Sequence, residues 1–397
     1  MKKYINTFFI LTILSFTCAA QTTITGRIVD AETGEKIAFA SISTNQASTL
    51  TNEEGDFTFQ VKELPIDLVI SHLNYGKSIL HIEENRDQTI RLKAIPILLP
   101  EVQIGNYARE LVSHAAQKLM DNFHLKFYGK AIFRQSTQID DLTSEWQEII
   151  YATKSSNSRL EGTSVIKGRY AALDAIYKFD DFSYFTKAYG LIDVDTNRHA
   201  VVTLNGSDRY HYSVRNLRKE GEREIAEIRY ISKSPERYNN SNGTLFIDTD
   251  SYDIIKFAFE TYSDLGLKMK NKHPLWNMKM VNPKFQFEMS FTDFAGSRVI
   301  EYLKVKYNFD YHLKKEIHPV QVSTMTYLYD TSTQVNNIPY EKANSGGNDR
   351  DAIKKFAYDP EFWKRNAVFE RTPEENKAIK DLERKGSFGN AMAKSND

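Results

Sequence analysis

The chain has 397 residues, with 52 Lys and Arg balanced by 52 Asp and Glu, so its formal net charge is zero. Hydrophobic residues make up 41% and aromatic residues 12%, which is typical of globular proteins and excludes disorder over most of the chain. The balanced charge argues against a nucleic-acid-binding protein, and a single cysteine excludes a disulfide scaffold. The length predicts two or three domains.

The first 20 residues have the three parts of a secretory signal peptide. Lys2 and Lys3 form a basic start, residues 5–16 are apolar but too few to span a bilayer, and small residues precede Gln21. The pattern predicts export to the periplasm or to the outer membrane, with cleavage before Gln21. A lipidated Cys18 is the alternative, although the residues before it fit a lipobox poorly. Cleavage would remove the only cysteine and two lysines, leaving 50 basic and 52 acidic residues.

Residues 21–95 are predicted to fold as a small β-sandwich. Six or seven short strand-like runs are separated by turn signals such as Thr33-Gly34-Glu35 and Glu54-Gly55-Asp56. After the second turn, Phe57, Phe59 and Val61 alternate onto one face. This spacing of short strands favours an antiparallel sandwich.

The same segment carries a family resemblance. The strings GRIVD, TGE, AFASI and TNEEGDF, all within residues 26–57, resemble the carboxypeptidase regulatory-like domain. That family is a transthyretin-like β-sandwich found in many secreted and outer-membrane bacterial proteins. The resemblance implies a binding or spacer module without peptidase chemistry of its own.

Residues 96–125 are predicted to form a linker and an amphipathic helix. Pro96 and Pro100 bracket a stiff connector. The helix has an apolar stripe at three- and four-residue spacing, made of Ala108, Leu111, Val112, Ala115, Ala116, Leu119, Met120 and Phe123. Its polar face carries both charges, so we expect the stripe to dock on a sheet rather than on a membrane surface.

Residues 126–335 are predicted to form an antiparallel β domain. Phe285, Phe287 and Met289 alternate with polar residues, as on a half-buried strand. The clearest hairpin turns at Asp248–Ser251, and a second turns at Asp293–Ser297. The predicted fold class is therefore mainly β (α+β), a small N-terminal sandwich followed by a large curved antiparallel sheet packed with a helix.

The second half also carries a resemblance. The strings GTLFIDTDSYDIIKF and DPEFWKRNAVFERTPEE resemble the second domain of secreted proteins of undefined function. More loosely, this half resembles the half-barrel of lipoprotein carriers. Residues 336–397 are predicted to be a polar tail with one short helix, which begins with a capping box at Thr372-Pro373-Glu374-Glu375 and stops at Gly386.

Four short patterns match chemical motifs by spacing alone. They are His81 with Glu84, Ser164 with Lys167, the Asp248-Asp250-Asp253 group, and His312 with His318. Each lacks the companion residues that zinc, serine-nucleophile or calcium sites require. The sequence therefore predicts no catalytic, cofactor-binding or metal-binding residues and no cofactor.

The residues as a whole predict a non-enzymatic envelope protein. The large sheet must cover its inner face with the helix and its own side chains, or with an apolar ligand. A filled interior would leave an envelope protein partner as the expected ligand, and a gap would favour a lipid-like molecule. A hydrolase with dispersed catalytic residues is the alternative. Nucleic acid and a transmembrane helix are not expected, and the oligomeric state stays open.

Overall fold

The computed structural model describes residues 22–45, 47–98, 106–173, 177–178, 181–191, 201–204, 208–234, 242–262, 270–271, 278–313, 315–343, 348–366 and 368–389. The predicted signal peptide, with Cys18, lies outside these residues. The chain divides into two compact units. The first comprises Met1–Lys93 with Val368–Glu370, and the second comprises Ala94–Ala367 with Arg371–Asp397.

Among the described residues, the first unit contains seven strands in two sheets. They are β1 (Thr22–Asp30), β2 (Ser41–Ser43), β3 (Ser48–Leu50), β4 (Asp56–Val61), β5 (Ile66–His72), β6 (Tyr75–Ile82) and β7 (Gln88–Leu92). One sheet has the order β4-β1-β7 and the other β3-β2-β5-β6. The predicted sandwich is confirmed, but its purely antiparallel topology is wrong because β1 and β7 pair in parallel.

The core of the first unit lies on alternating positions of these strands. Phe57, Phe59 and Val61 are buried as their alternation predicts, and they contact Ile24 and Ile28 of β1 in one cluster. A short C-terminal segment also belongs to this unit. Thr49 Oγ1 donates a hydrogen bond to the Val368 carbonyl oxygen (3.2 Å), and the Thr58 hydroxyl donates to Glu370.

The second unit is dominated by a sheet of 12 strands with the order β21-β11-β10-β9-β20-β19-β18-β16-β15-β14-β13-β8. Its strands, with the separate short pair β12 and β17, are β8 (Ile97–Leu98), β9 (Phe127–Ile139), β10 (Leu142–Ser155), β11 (Leu160–Ala172), β12 (Tyr177–Lys178), β13 (Tyr210–Glu220), β14 (Arg223–Ser232), β15 (Asn242–Asp248), β16 (Ile254–Thr261), β17 (Lys270–Asn271), β18 (Met278–Phe294), β19 (Ser297–Leu313), β20 (Glu316–Ser332) and β21 (Glu341–Lys342). All pairings in the large sheet are antiparallel. The predicted fold class is confirmed.

Local chemistry explains the hairpins of this sheet. β15 and β16 pair across the turn after Asp248, and β18 and β19 pair across Ala295-Gly296, as the sequence predicts. Ala295 and Gly296 both have positive φ angles (49° and 77°), the geometry that a tight hairpin turn requires. The predicted connector is different, because Ile97–Leu98 forms the edge strand β8 and pairs with β13.

The described helices are α1 (Tyr107–Asp121), α2 (Ser183–Ala188), α3 (Asp349–Ile353), α4 (Pro360–Arg365) and α5 (Pro373–Arg384). Six of the eight apolar residues predicted for α1 are buried, from Ala108 to Leu119. Met120 is 50% exposed, and Phe123 lies beyond the helix end and is only half-buried. The prediction is therefore wrong for the last two residues of the stripe. Met120 is exposed in the last turn of the helix, and the helix ends at Asp121, before Phe123.

The C-terminal segment is more ordered than a polar tail. Three helices, rather than one, follow Asn348, and Trp363 of α4 is only 1% exposed. The predicted capping box is confirmed at α5, where Thr372 and Glu375 bond reciprocally to each other's backbone N–H. Residues 390–397 lie outside the described part of the chain.

Candidate functional site

The inner face of the large sheet is filled by aromatic side chains. Phe185 of α2 lies 5.6 Å from Phe285, and Tyr189 lies 5.1 Å from Phe259 and 5.0 Å from Phe287, measured between ring centroids. The buried stripe of α1 joins the same cluster. Where the structure describes it, this face is a packed core, which is the first of the two alternatives that the sequence left open.

A buried polar cluster lies at one side of that core. Asp349 Oδ2 accepts hydrogen bonds from the hydroxyls of Tyr151 (2.5 Å) and Ser183 (2.6 Å) and from Lys187 Nζ (2.6 Å). Burial and the Asp349 charge raise the pKa of the Tyr151 hydroxyl well above its usual value. Ser183 is fully buried and its hydroxyl is already engaged. The cluster therefore fastens α2 and α3 to β10 and offers no accessible nucleophile.

A second buried cluster lies on the outer face, centred on Glu148. Its carboxylate, 0% exposed, accepts hydrogen bonds from Arg134 Nε (3.1 Å), Arg169 Nε (2.7 Å) and Arg371 Nε (3.1 Å). Burial alone would raise the pKa of Glu148, but the three guanidinium groups outweigh it and hold that pKa far below its usual range. The cluster therefore connects the segment before α5 to the outer face of β9–β11.

The outer face of β13–β19 instead carries an open groove of about 470 Å³. That volume lies within the range of about 300–1,000 Å³ typical of ligand sites. One cross-strand row runs Arg229, Thr244, Ala258, Glu288, Lys304 in the pairing register of β14, β15, β16, β18 and β19. The short side chains of Thr244 and Ala258 lie between the long side chains of Arg229 and Glu288, and this difference in length produces the groove.

A parallel row forms the other wall of the groove. It runs Asn242, Glu260, Gln286, Lys306 across β15, β16, β18 and β19. Arg215 of β13 also lines the groove. Cations therefore lie at both ends, and carboxylates and amides lie between them.

The two groove carboxylates are held by their own partners. Glu288 pairs with Lys256 (2.8 Å) and accepts a hydrogen bond from the Tyr302 hydroxyl (2.5 Å). Burial would raise the pKa of Glu288, but Lys256 outweighs it and holds that pKa below its usual value. Glu260 pairs with Lys284 at 3.4 Å. Glu288 is thus a charged acceptor at neutral pH.

Three groove cations are not neutralised in this way. Among the residues that the structure describes, Arg215, Arg229 and Lys306 form neither an ion pair nor a side-chain hydrogen bond. Arg215 and Arg229 are exposed and Lys306 is half-buried. The ends of the groove therefore present cationic donors that can bind an anionic group.

The residues that matched motifs by spacing do not converge on a site. His81 Nδ1 lies 2.7 Å from Asp67 Oδ1, whereas Glu84 is exposed beyond the end of β6. Lys167 lies over the rings of Phe356 (5.6 Å) and Phe362 (5.5 Å). Neither pattern assembles the chemistry that its spacing resembles.

The aspartate and histidine patterns are likewise occupied by structural contacts. Asp248 accepts hydrogen bonds from Arg223 Nε and from backbone N–H groups of its own turn, and Asp253 pairs with Lys118. His318 bonds to Asp140 and stacks on Tyr311. The described residues contain no group of three or more His, Cys, Asp or Glu that could hold a metal ion.

None of the described helices combines the length and the hydropathy that crossing a bilayer demands. The groove residues carry one recognisable sequence signal. Along β18 and β19, charged residues alternate with buried aromatic residues. These residues do not stand out in the sequence, because their rows join five strands whose pairing register is not visible in the chain.

Comparisons with solved structures found weak similarity. A LolA superfamily protein from Nitrosomonas europaea is 9% identical, with a TM-score of 0.25, 58% of this chain covered and 94% of the other. A DUF1329 family protein from Desulfovibrio piger is 8% identical, with a TM-score of 0.22 and coverage of 61% and 95%. A protein of unknown function from Bacteroides fragilis is 12% identical, with a TM-score of 0.16 and coverage of 78% and 98%.

A search of curated proteins found no match. A family model does match the N-terminal part of the chain, over residues 24–104. Its description is the CarboxypepD_reg-like domain, which confirms the resemblance found in the sequence strings of residues 26–57. Over those 81 residues, this chain is similar to the CarboxypepD_reg-like domain family.

Proposed function

We propose that the protein is a non-catalytic, exported module of the bacterial envelope, and that its second unit binds a ligand through the groove on the outer face of the large sheet. The observation that carries this proposal is the groove itself, with cations at its ends that the described chain leaves without counter-ions. The non-catalytic regulatory-like domain matched at residues 24–104 supports the absence of peptidase chemistry.

The packing of the inner face favours surface binding over apolar-ligand transport. A carrier of lipid-like molecules needs an empty apolar volume, whereas Phe185, Tyr189 and Phe285 are in ring contact there. The groove is polar, so the ligand that suits it is polar and charged. We therefore place binding on the outer face.

Co-sedimentation with isolated envelope fractions of a Gram-negative bacterium tests this proposal. The purified mature chain should bind one fraction at low salt and be released as ionic strength rises, because exposed charge contacts are screened. The Arg229→Gln variant should bind less, and Lys219→Gln, on the exposed end of β13, should bind like the wild type. Salt-independent binding, or none to any fraction, would contradict the proposal.

Export is tested separately. N-terminal sequencing of the protein from the envelope fraction should find Gln21 at the start, because the small residues before it fit signal-peptidase cleavage. An intact Met1 would contradict export by this route, and an acylated Cys18 would replace it with lipidation.

A further inference from the structure

We infer that the groove binds an acidic oligosaccharide, a chain of neutral sugars that carries carboxylate or phosphate groups at intervals. This inference rests on the proposed binding role of the outer face and names the class of its ligand. Carboxylate and phosphate are taken together because both are planar or compact anions that Arg and Lys bind through the same charge-assisted hydrogen bonds.

The cations define the two ends of the ligand. Arg229 on β14 and Lys306 on β19 lie at opposite ends of the groove, and four strand intervals separate their strands. At about 4.8 Å per interval, the ends lie roughly 19 Å apart along the sheet. A single small anion cannot engage both ends, so the geometry points to an extended ligand with separated negative groups.

The middle of the groove has a different chemistry. Glu260 and Glu288 provide carboxylate acceptors, and Asn242, Thr244 and Gln286 provide neutral donors and acceptors. Hydroxyl groups can donate to those carboxylates and accept from those amides at the same time. Sugar rings carry such hydroxyls at every position, so a neutral saccharide stretch fits the middle of the groove.

The same carboxylates exclude a uniformly charged chain. Each strand of a nucleic-acid duplex carries a phosphate about every 3.4 Å along the helix axis, and an extended acidic peptide carries side chains about every 3.3 Å. Either chain would place negative groups directly over Glu260 and Glu288, where like charges repel. The arrangement therefore discriminates by charge spacing as well as by charge sign.

Fluorescence anisotropy with labelled oligosaccharides tests the inference. The acidic probes are a hyaluronan hexasaccharide, with a carboxylate on alternate sugars, and a phosphorylated mannan oligosaccharide. We expect at least one of them to bind the mature chain at least about tenfold more tightly than the neutral N-acetylglucosamine hexamer, because a charge-assisted contact contributes about that factor. The acidic probe that binds more tightly shows whether carboxylate or phosphate is the recognised group.

The variants assign the binding to the groove. Arg229→Gln and Lys306→Gln should each weaken binding of the acidic probe about tenfold. Lys219→Gln should bind like the wild type, and equal thermal midpoints for all variants would show that folding is unchanged. Wild-type affinity in both groove variants would overturn the inference.

Two further outcomes would also overturn it. The neutral hexamer could bind as tightly as the acidic probes, or hexaglutamate or hexagalacturonate could bind as tightly as hyaluronan. The first removes the role of charge, and the second removes the role of charge spacing. If no acidic saccharide binds while salt-sensitive envelope binding persists, the ligand class is wrong and the proposed function survives. Loss of envelope binding as well would refute both.

Discussion

Replacing Glu148 with Gln should unfold the second unit at much lower denaturant concentration. The wild-type carboxylate is fully buried and accepts hydrogen bonds from three guanidinium groups within 3.1 Å, those of Arg134, Arg169 and Arg371. Removing one partner of a buried ion pair costs roughly 3–5 kcal/mol, because the buried guanidinium groups lose the carboxylate that they share. With a urea m-value of about 3 kcal/mol per M, the midpoint should fall by about 1–1.7 M.

Tryptophan fluorescence reports this transition from the cluster itself. Trp146 is fully buried with the Arg134 guanidinium 6.0 Å from its ring, and the Arg169 guanidinium lies 4.9 Å from the ring of Trp363. The matched control is Glu361→Gln on α4, whose carboxylate is exposed and pairs only with surface cations. That variant should keep the wild-type midpoint. A Glu148→Gln midpoint equal to that of the control would refute the assignment of the cluster as a stabilising element.

Three further predictions concern pH, the first core and the groove floor. The pKa of Glu148 is lower in the folded chain than the ordinary value of 4.5. The charged carboxylate therefore stabilises the second unit above pH 4.5, and this contribution is lost as the pH falls further. Urea midpoints measured between pH 3 and 6 should fall accordingly. Phe57→Ala should destabilise the first unit by roughly 3–5 kcal/mol in calorimetry, and Ile79→Ala, 67% exposed, should not. Gly243→Ala should reduce both the thermal stability and the binding of the acidic probe, because a Cβ there would lie 2.2 Å from the Ala258 carbonyl oxygen. An unchanged thermal midpoint would contradict this steric conflict.

The parts of the fold that the sequence predicted are those with strong local signals. The alternation of Phe285, Phe287 and Met289 identified a half-buried strand, and the capping box at Thr372 located the start of α5. Each signal depends only on residues a few positions apart, so it does not depend on how the rest of the chain folds. The hairpins at Asp248 and Ala295 were predicted for the same reason.

Strand β11 illustrates what local patterns miss. Gly162 and Gly168 interrupt the alternation that would mark it as a strand. In the structure they are required by close neighbours, because a Cβ at Gly168 would lie 2.5 Å from the Ile353 side chain and one at Gly162 would lie 2.8 Å from Tyr340. Those neighbours are distant in sequence, so the need for glycine is visible only after folding.

The C-terminal segment and the groove were missed for a related reason. Trp363 is buried by long-range contacts, although its surroundings in the sequence are polar. The groove brings Arg229 of β14 into one row with Lys304 of β19, 75 residues apart. Local alternation assigns such residues to an outer face, but strand order and register decide which of them become neighbours.

Lysine footprinting in the presence of the envelope fraction that binds the chain tests the central claim most directly. Acetylation of Lys304 and Lys306, both half-buried in the groove wall, is compared with that of the exposed Lys219 by mass spectrometry. Binding by the outer face predicts that the two groove lysines become protected while Lys219 reacts as in the free chain. Unchanged reactivity of Lys304 and Lys306 under conditions where the chain is bound would contradict the outer groove as its binding surface.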